Sequence, residues 1–221
     1  MVPWVWVSPE VDPFTRSAVS WQPMAMDMVT MLLQRGVGVL VRTRGGLSAC
    51  RTLVQWAEQH PELVAVDVSF FSGDSRTAAP WEQGAGTIED RLALLNALTT
   101  TGARTRARLG PLIPMINDDE RPVRRLASAL LRQGVRELVP EWITGRPGLD
   151  KHIERQVSRA RSRMVRGWLH MEGAISGSGP RTIPDRVRRP ILRALHSTCG
   201  DAGVELVTCA CNSPDGLGVC T

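Results

Sequence analysis

The chain has 221 residues, a hydrophobic content of 43% and a formal net charge of +5, values that suit one folded domain with its own core. They exclude a wholly disordered chain, and no apolar run approaches the roughly 18–20 residues that cross a membrane. The apolar N-terminus lacks the basic region and cleavage site of a signal peptide, so the sequence predicts a soluble, cytoplasmic protein.

Short apolar runs alternate along the chain with stretches of helical periodicity. The predicted strands are Trp4–Val7, Val37–Thr43, Leu63–Ser69, Thr105–Ile113, Val135–Val139 and Val204–Thr208. The predicted helices are Met24–Gln34, Leu47–His60, Thr87–Thr101, Glu120–Arg132, Leu149–Leu169 and Asp185–Ala202. Strands separated by helices of this length form βαβ crossovers, so the pattern predicts an α/β protein with a parallel sheet. The Met-rich first helix is interpreted as core packing through Met24, Met26, Met28 and Met31.

The basic residues are unevenly distributed, and Lys151 is the only lysine among 27 of them. Residues 155–166 and residues 181–193 each contain five arginines. Such runs are usually solvated helix faces, but guanidinium groups also bind phosphate with two parallel hydrogen bonds. DNA or another anionic partner is therefore one interpretation, and a solvated surface is the other.

Four of the five cysteines lie in the last 23 residues. The spacing Cys199-x₉-Cys209-x-Cys211-x₈-Cys220 offers four thiolates, which in a cytoplasmic chain suit iron–sulfur or zinc better than disulfides. It is not a standard zinc-finger spacing, and a Cys-x-Cys pair also occurs incidentally in a tail. A metal site and a plain tail both remain open.

Parallel α/β proteins bind their ligands at the carboxyl ends of the strands, and this is where the unusual segments of the chain lie. Neither a dinucleotide glycine fingerprint nor a phosphate-binding Gly-Lys-Ser/Thr loop is present. Asp12 follows the first strand and either binds a ligand or hydrogen-bonds within its own Pro-rich turn. Arg44 follows the second strand and offers a planar cation to a carboxylate or phosphate, beside Gly45 and Gly46, which permit close backbone approach.

Taken in order, these segments resemble the radical S-adenosylmethionine superfamily, in particular the DNA-repair-photolyase-like group related to spore photoproduct lyase. Ser8-x-x-x-Asp12-Pro-Phe is similar to that group's Thr/Ser-Asp-Pro-Tyr segment, and Thr43-Arg44 is similar to its Thr-Lys. Trp81-Glu82-Gln with Thr87-Ile-Glu-Asp-Arg-Leu resembles the Glu-Pro-Arg…Ser-Pro-x-x-Arg-Leu run. The most specific match is Pro111-Leu-Ile-Pro-Met-Ile-Asn117-Asp, which is close to Pro-x-x-Pro-Gly-x-Asn-Asp.

The resemblance implies a partial TIM-like (β/α)₆ barrel that lacks its first strand. Residues 1–145 would form the barrel core from the family's second strand onward, and residues 146–221 would add basic helices, the last strand and the Cys-containing tail. The implied cofactors are S-adenosylmethionine and a [4Fe–4S] cluster. Asp12, Arg44, Ser69 and Glu82 would line the cofactor site, with Ser69 on the nucleoside and Arg44 on a carboxylate or phosphate. Pro111 to Asn117 would shape the adenine side.

The chain also departs from the family pattern. Radical enzymes of this superfamily hold their cluster through Cys-x-x-x-Cys-x-x-Cys, and this triad does not occur in the sequence. In addition, Phe14, Arg44 and Met115 stand where the family has Tyr, Lys and Gly. Three explanations stay open: an incomplete enzyme complemented by a cluster-bearing N-terminal segment or chain, a degenerate relative, or a cluster displaced to the C-terminal cysteines.

Under the first two explanations the chain cannot cleave S-adenosylmethionine alone, and complementation would make it a radical lyase-like enzyme. The alternative function is a non-enzymatic metal-binding or nucleic-acid-binding protein that uses the barrel as a scaffold.

Overall fold

The computed structural model describes residues 2–7, 11–15, 18, 20–145, 148–171 and 182–208. It contains one six-stranded, fully parallel sheet in the order β1-β2-β3-β4-β5-β6, as the alternating pattern predicted. The strands are β1 (Trp4–Val7), β2 (Gly38–Thr43), β3 (Val64–Phe70), β4 (Arg104–Leu112), β5 (Glu137–Trp142) and β6 (Glu205–Leu206). The helices are α1 (Gln22–Gln34), α2 (Arg51–Gln59), α3 (Ser75–Ala78), α4 (Ile88–Thr99), α5 (Glu120–Arg132), α6 (Leu149–Gln156), α7 (Arg159–Leu169) and α8 (Asp185–Asp201).

Each strand pairs with its neighbours in the chain. The pairing is parallel because every connection is a helical crossover that returns to the same end of the sheet. The central strand β3 is buried along its whole length, as expected for a parallel strand that is covered on both faces. Within the described residues β1 and β6 each pair on one side only, so the sheet is not closed. The predicted partial barrel fold is confirmed in this unclosed form.

The sheet face turned away from the helical layer carries charged side chains, and we call it the inner face. Arg42 on β2 donates to Glu141 on β5 at 2.9 Å, although β3 and β4 lie between these strands. Asp67 on β3 accepts from Arg106 and Arg108 on β4, both at 3.0 Å. The network therefore crosses the sheet from β2 to β5.

Several predicted boundaries are wrong. The basic stretch Leu149–Leu169 is two helices, because Val157 is extended and the Ser158 hydroxyl accepts the Arg161 N–H to start α7. The last strand has two residues rather than five, and α2 begins at Arg51 rather than Leu47. No helix of the described residues is long and apolar enough to cross a membrane.

The prediction that the α1 methionines form core is wrong for three of the four. Met24, Met28 and Met31 are 61%, 39% and 45% exposed, and only Met26 packs against the core. The helix instead buries a narrow face through Val29 and Leu33. Its sequence is apolar on two faces, and the fold covers one of them.

Candidate functional site

A pocket of about 340 Å³ opens at the carboxyl edge of the sheet. Five of the six residues that the resemblance assigned to a cofactor site line it: Asp12, Arg44, Ser69, Glu82 and Pro111. They come from four separate segments of the chain, so the parallel sheet has brought them together as expected. The sixth, Asn117, is not on the pocket surface.

Asp12 is held by the protein's own backbone. Its carboxylate accepts the N–H of Arg44 at 2.6 Å, the N–H of Phe14 at 2.9 Å and the hydroxyl of Thr43 at 3.1 Å. Burial raises the pKa of Asp12, and the two backbone hydrogen bonds oppose that rise. These contacts tie the β1 loop to the end of β2 and hold the backbone of Arg44.

Glu82 forms a buried, two-pronged ion pair with Arg91 of α4. Its carboxylate oxygens accept from Arg91 at 2.9 and 2.6 Å, and the two side chains are only 4% and 2% exposed. Glu82 also accepts the Phe71 N–H at 3.0 Å, while Arg91 donates to the Ser69 carbonyl at 2.5 Å. The pair thus fixes the end of β3, where Ser69 meets the pocket.

Arg44 and Ser69 present donors that remain available to a ligand. The Arg44 side chain is 42% exposed, and its Nε lies 3.7 Å from the nearest Glu82 oxygen. Within the described part of the chain, neither its guanidinium nor the Ser69 hydroxyl has a hydrogen-bond partner, although both residues line the pocket. A carboxylate or phosphate would satisfy Arg44, and a hydroxyl or ring nitrogen would satisfy Ser69.

One wall of the pocket is aromatic. Phe71 and Trp81 stack with ring centroids 4.9 Å apart and planes 13° from parallel. His152 of α6 meets Trp81 edge-on at 5.3 Å. Such a wall offers a flat apolar surface of the kind on which nucleobases stack. Trp81 lies in a segment that matched the family motif, whereas neither Phe71 nor His152 was assigned to the site from the sequence.

Two other residues that line the pocket, Arg42 and Trp142, carry a buried nitrogen donor, and neither residue was assigned to the site from the sequence. Arg42 Nε and Trp142 Nε1 are buried and lack a hydrogen-bond partner among the residues that the structure describes. Burial lowers the pKa of Arg42, with Arg108 nearby adding to the effect, but an arginine remains charged at neutral pH. Glu141 of β5 also lines the pocket and was not assigned to the site from the sequence. The alternation of side chains along a strand places Glu141 on the inner face, and this alternation could have predicted its position.

Asn117 supports the pocket from behind. Its side-chain amide donates to the carbonyls of Phe71 at 2.8 Å and Pro111 at 2.9 Å, and its oxygen accepts the Ile113 N–H at 2.7 Å. The residue is 1% exposed. It therefore joins the proline loop to the end of β3 and has no free group for a ligand. In the same loop Met115 adopts a φ of +66°, the left-handed conformation that favours the glycine of the family pattern.

The two described cysteines, Cys50 and Cys199, are buried free thiols. Burial raises the pKa of the Cys50 thiol to about 12 and that of Cys199 to about 11. The described residues contain no group of three or more His, Cys, Asp or Glu side chains that could hold a metal. Cys209, Cys211 and Cys220 lie outside the described residues, so the prediction that they bind metal with Cys199 stays a prediction.

The arrangement defines a class of fold, a parallel α/β partial barrel with a polar pocket at its carboxyl edge. No protein-family model and no curated protein sequence match the chain. Among solved structures, the chain is similar to those of spore photoproduct lyase, so the fold predicted from the motifs is confirmed.

The similarity extends over nearly all of this chain. The lyase complexed with dinucleoside spore photoproduct aligns with a TM-score of 0.67 and 14% identity, over 93% of this chain and 60% of its own. A variant of the lyase with the same dinucleoside aligns with a TM-score of 0.68 and 13% identity, over 93% and 61%. At such identities the likeness shows the fold alone, and this chain spans about 60% of the length of those proteins.

Proposed function

We propose that the carboxyl-edge pocket binds a nucleoside that bears a carboxylate, with S-adenosylmethionine as the expected ligand, and that the chain alone does not cleave it. The observation that carries the proposal is which polar groups of the pocket already have a hydrogen-bond partner in the protein. Its carboxylates, those of Asp12, Glu82 and Glu141, already accept hydrogen bonds from the protein. Two of its groups without a described hydrogen-bond partner, the Arg44 guanidinium and the Ser69 hydroxyl, can donate to a ligand. Such a pocket favours a ligand rich in acceptors.

Each part of the ligand has a matching group in this pocket. Arg44 would hold the carboxylate, since its guanidinium is exposed to the pocket and 3.7 Å from the nearest protein carboxylate oxygen. Ser69 would donate to the nucleoside, and the Phe71–Trp81 wall would lie against the base. Asp12 and Glu82 would keep Arg44 and Ser69 in place.

Cleavage of S-adenosylmethionine requires chemistry that these residues do not supply. In the superfamily that the motifs resemble, a [4Fe–4S] cluster delivers the electron that breaks the sulfonium bond. The sequence has no Cys-x-x-x-Cys-x-x-Cys triad, and the two described cysteines are buried thiols. Turnover would therefore require a cluster-bearing segment or chain.

Calorimetric titration with S-adenosylmethionine tests the binding step. We expect Arg44→Gln and Ser69→Ala each to weaken binding about tenfold, a loss of roughly 1.4 kcal/mol that matches one good hydrogen bond. Arg51→Gln is the matched control, because Arg51 is an exposed arginine at the start of α2 outside the pocket. Absence of binding, or equal effects of Arg44→Gln and Arg51→Gln, would contradict the assignment.

A product assay tests the second half of the proposal separately. The purified chain, incubated anaerobically with iron, sulfide, a strong reductant and S-adenosylmethionine, should form no 5′-deoxyadenosine. Formation of that product by the chain alone would show that a cluster assembles on its own cysteines, and the proposal would be wrong on this point.

Nucleic-acid binding is a second candidate, favoured by an open groove of about 800 Å³ along α5. Arg121, Arg125 and Arg132 line it, and their spacing of four and seven residues places them on one face of the helix. Two carboxylates, those of Asp74 and Asp119, also line the groove, and Asp74 forms an ion pair with Arg125 at 3.5 Å. If this face binds the phosphates of DNA, the affinity should fall steeply with salt, and a triple change to glutamine should flatten that slope by about three counterions. Salt-independent or absent binding would exclude this candidate.

A further inference from the structure

Two tryptophans lie next to each other on the inner face of the sheet. Trp4 and Trp6 of β1 are 49% and 45% exposed, and they pair in register with Gly38 and Leu40 of β2. Side chains alternate along a strand, so Gly38 and Leu40 share the inner face with Arg42. Tryptophan is enriched at interaction sites, so this pair of rings is a candidate for one.

The Trp4 ring lies flat on the backbone of β2. A Cβ atom placed on Gly38 would meet the atoms Cδ2, Cε2 and Cε3 of Trp4 at 2.6, 2.8 and 2.8 Å. These atoms are at the middle of the indole and are almost equally distant, so the plane of the ring, and not its edge, covers Gly38. Only glycine leaves room for the ring at this position. The exposed area of Trp4 therefore lies on the other side of the ring.

The Trp6 ring is held in a comparable way by Arg42. The guanidinium carbon lies over the ring, 4.5 Å from its centroid, and Glu141 holds that guanidinium through a hydrogen bond of 2.9 Å. One face of Trp6 is thus against Arg42, and its exposed area lies on the opposite face. Arg42 also lines the carboxyl-edge pocket, so the two rings adjoin that pocket. We call the two rings the Trp4–Trp6 platform.

The spacing of the two rings selects the kind of ligand. Residues i and i+2 of a parallel strand are about 6.6 Å apart, roughly twice the 3.4 Å between stacked bases of a duplex. Successive bases of a single strand fit this spacing when they separate from each other and each base stacks on one ring. A polyproline helix, which also binds to exposed aromatic rings, rises about 3.1 Å per residue and repeats about every 9.3 Å, so it does not match.

The charge around the rings favours the same ligand. Neither β1 nor β2 contains an acidic residue. The nearest carboxylates of the inner face, those of Asp67 and Glu141, already accept from arginines. Arg42 thus places a cation beside the rings in a chain of net charge +5, which favours a ligand that carries phosphates.

We infer that the Trp4–Trp6 platform binds two successive bases of a single-stranded nucleic acid. Each base stacks on the open face of one ring. The inference goes beyond the proposed binding of S-adenosylmethionine and does not rest on it, because neither tryptophan lines the carboxyl-edge pocket. It also concerns a different surface from the groove along α5.

Fluorescence anisotropy of a labelled ten-nucleotide oligothymidylate tests the inference. Trp4→Leu and Trp6→Leu should each weaken binding at least about fivefold, because leucine keeps an apolar side chain but lacks the flat ring on which a base stacks. Trp4→Phe and Trp6→Phe keep a ring and should restore most of the affinity. Trp21→Leu is the matched control, since Trp21 is 59% exposed but lies at the start of α1, and it should bind like the wild type. A duplex of the same length should compete poorly.

Gly38→Ala tests the platform while both tryptophans stay in place. The added methyl group would take the space of the Trp4 ring, so the affinity should fall about as much as in Trp4→Leu. Gly167→Ala is its control, because a Cβ atom there meets no other atom within 4 Å. Circular dichroism checks that each variant is folded. Titration with S-adenosylmethionine should give the same affinity for Trp4→Leu as for the wild type, which separates this inference from the proposed function.

Three results would overturn the inference. The first is a wild-type chain that does not bind the oligothymidylate. The second is an effect of Trp21→Leu as large as those of Trp4→Leu and Trp6→Leu. The third is full affinity in Gly38→Ala, because the Trp4 ring would then not be the surface on which a base stacks.

Discussion

The Glu82–Arg91 ion pair is the contact whose loss we expect to cost the most stability. Both side chains are buried, two hydrogen bonds join them, and each also holds a backbone group at the end of β3. In the variant Arg91→Met the apolar stem of the side chain is kept beside the Phe70 ring, which lies 4.8 Å from the guanidinium carbon. The charge is removed, and the packing is largely retained.

The expected cost follows from what remains. Without Arg91, the Glu82 carboxylate keeps the Phe71 N–H, and its nearest cation is Arg44 at 3.7 Å. The Ser69 carbonyl loses its arginine donor. Removing one partner of a buried ion pair costs about 3–5 kcal/mol, because the other charge is left without compensation. That is a large part of the roughly 5–15 kcal/mol that holds a domain folded.

Equilibrium unfolding in urea, followed by tryptophan fluorescence and circular dichroism, measures this cost. Arg124→Met is the matched control: Arg124 pairs with Glu120 at 2.6 Å, but the side chains are 45% and 64% exposed. Its loss should cost far less than the loss of the buried pair, because water screens an exposed ion pair. If Arg91→Met costs no more than Arg124→Met, the reasoning from burial is refuted.

Three other changes give separate tests. Asn117→Ala leaves three buried backbone groups without a side-chain partner and should cost about 3 kcal/mol; an unchanged thermal midpoint would contradict the role given to the proline loop. Burial raises the pKa of Asp12 above its ordinary 3.8, so the folded chain keeps this proton to higher pH than the unfolded chain does. The unfolding free energy of wild type relative to Asp12→Asn should therefore fall as the pH rises from the pKa of Asp12 in the unfolded chain to its pKa in the folded chain, and should stay constant above that. A relative free energy that rises with pH would mean that folding lowers the pKa of Asp12. If the late cysteines hold iron–sulfur or zinc, anaerobically purified protein should contain metal that Cys209→Ala with Cys211→Ala loses; wild-type protein without metal would exclude the site.

The sequence predicted the fold well wherever local signals and long-range packing agree. Alternating strands and helices predicted the parallel sheet, since helical crossovers join parallel strands. Helix α5 begins after Asp119, whose carboxylate accepts the Arg121 N–H, and it ends at Arg132, shortly before Gly134. Thr87 caps α4 in the same way, by accepting the Asp90 N–H.

The prediction failed where a side chain's partner is distant in the chain. Arg91 lies in a segment that matched the family motif, but the sequence did not show that its side chain is 2% exposed and bonded to Glu82 and the Ser69 carbonyl at the end of β3. Met28 was predicted to pack in the core because methionine is an apolar residue, but it lies at the surface. Residue type indicates what a side chain can bind, but only the fold decides which group it meets.

The same distinction separates the residues that contact a ligand from those that position them. Asp12, Glu82 and Asn117 matched the motifs as strongly as Arg44 and Ser69 did, but their polar groups are engaged with the protein's own backbone or with Arg91. Substitutions at these three should therefore lower stability and binding together. Substitution of Ser69 should lower binding alone, because no described hydrogen bond of its side chain is lost. Substitution of Arg44 should act mainly on binding, although it also removes the 3.7 Å ion pair with Glu82. The motif match is therefore the basis for the proposed site, and the hydrogen bonds of each side chain are the basis for its proposed role.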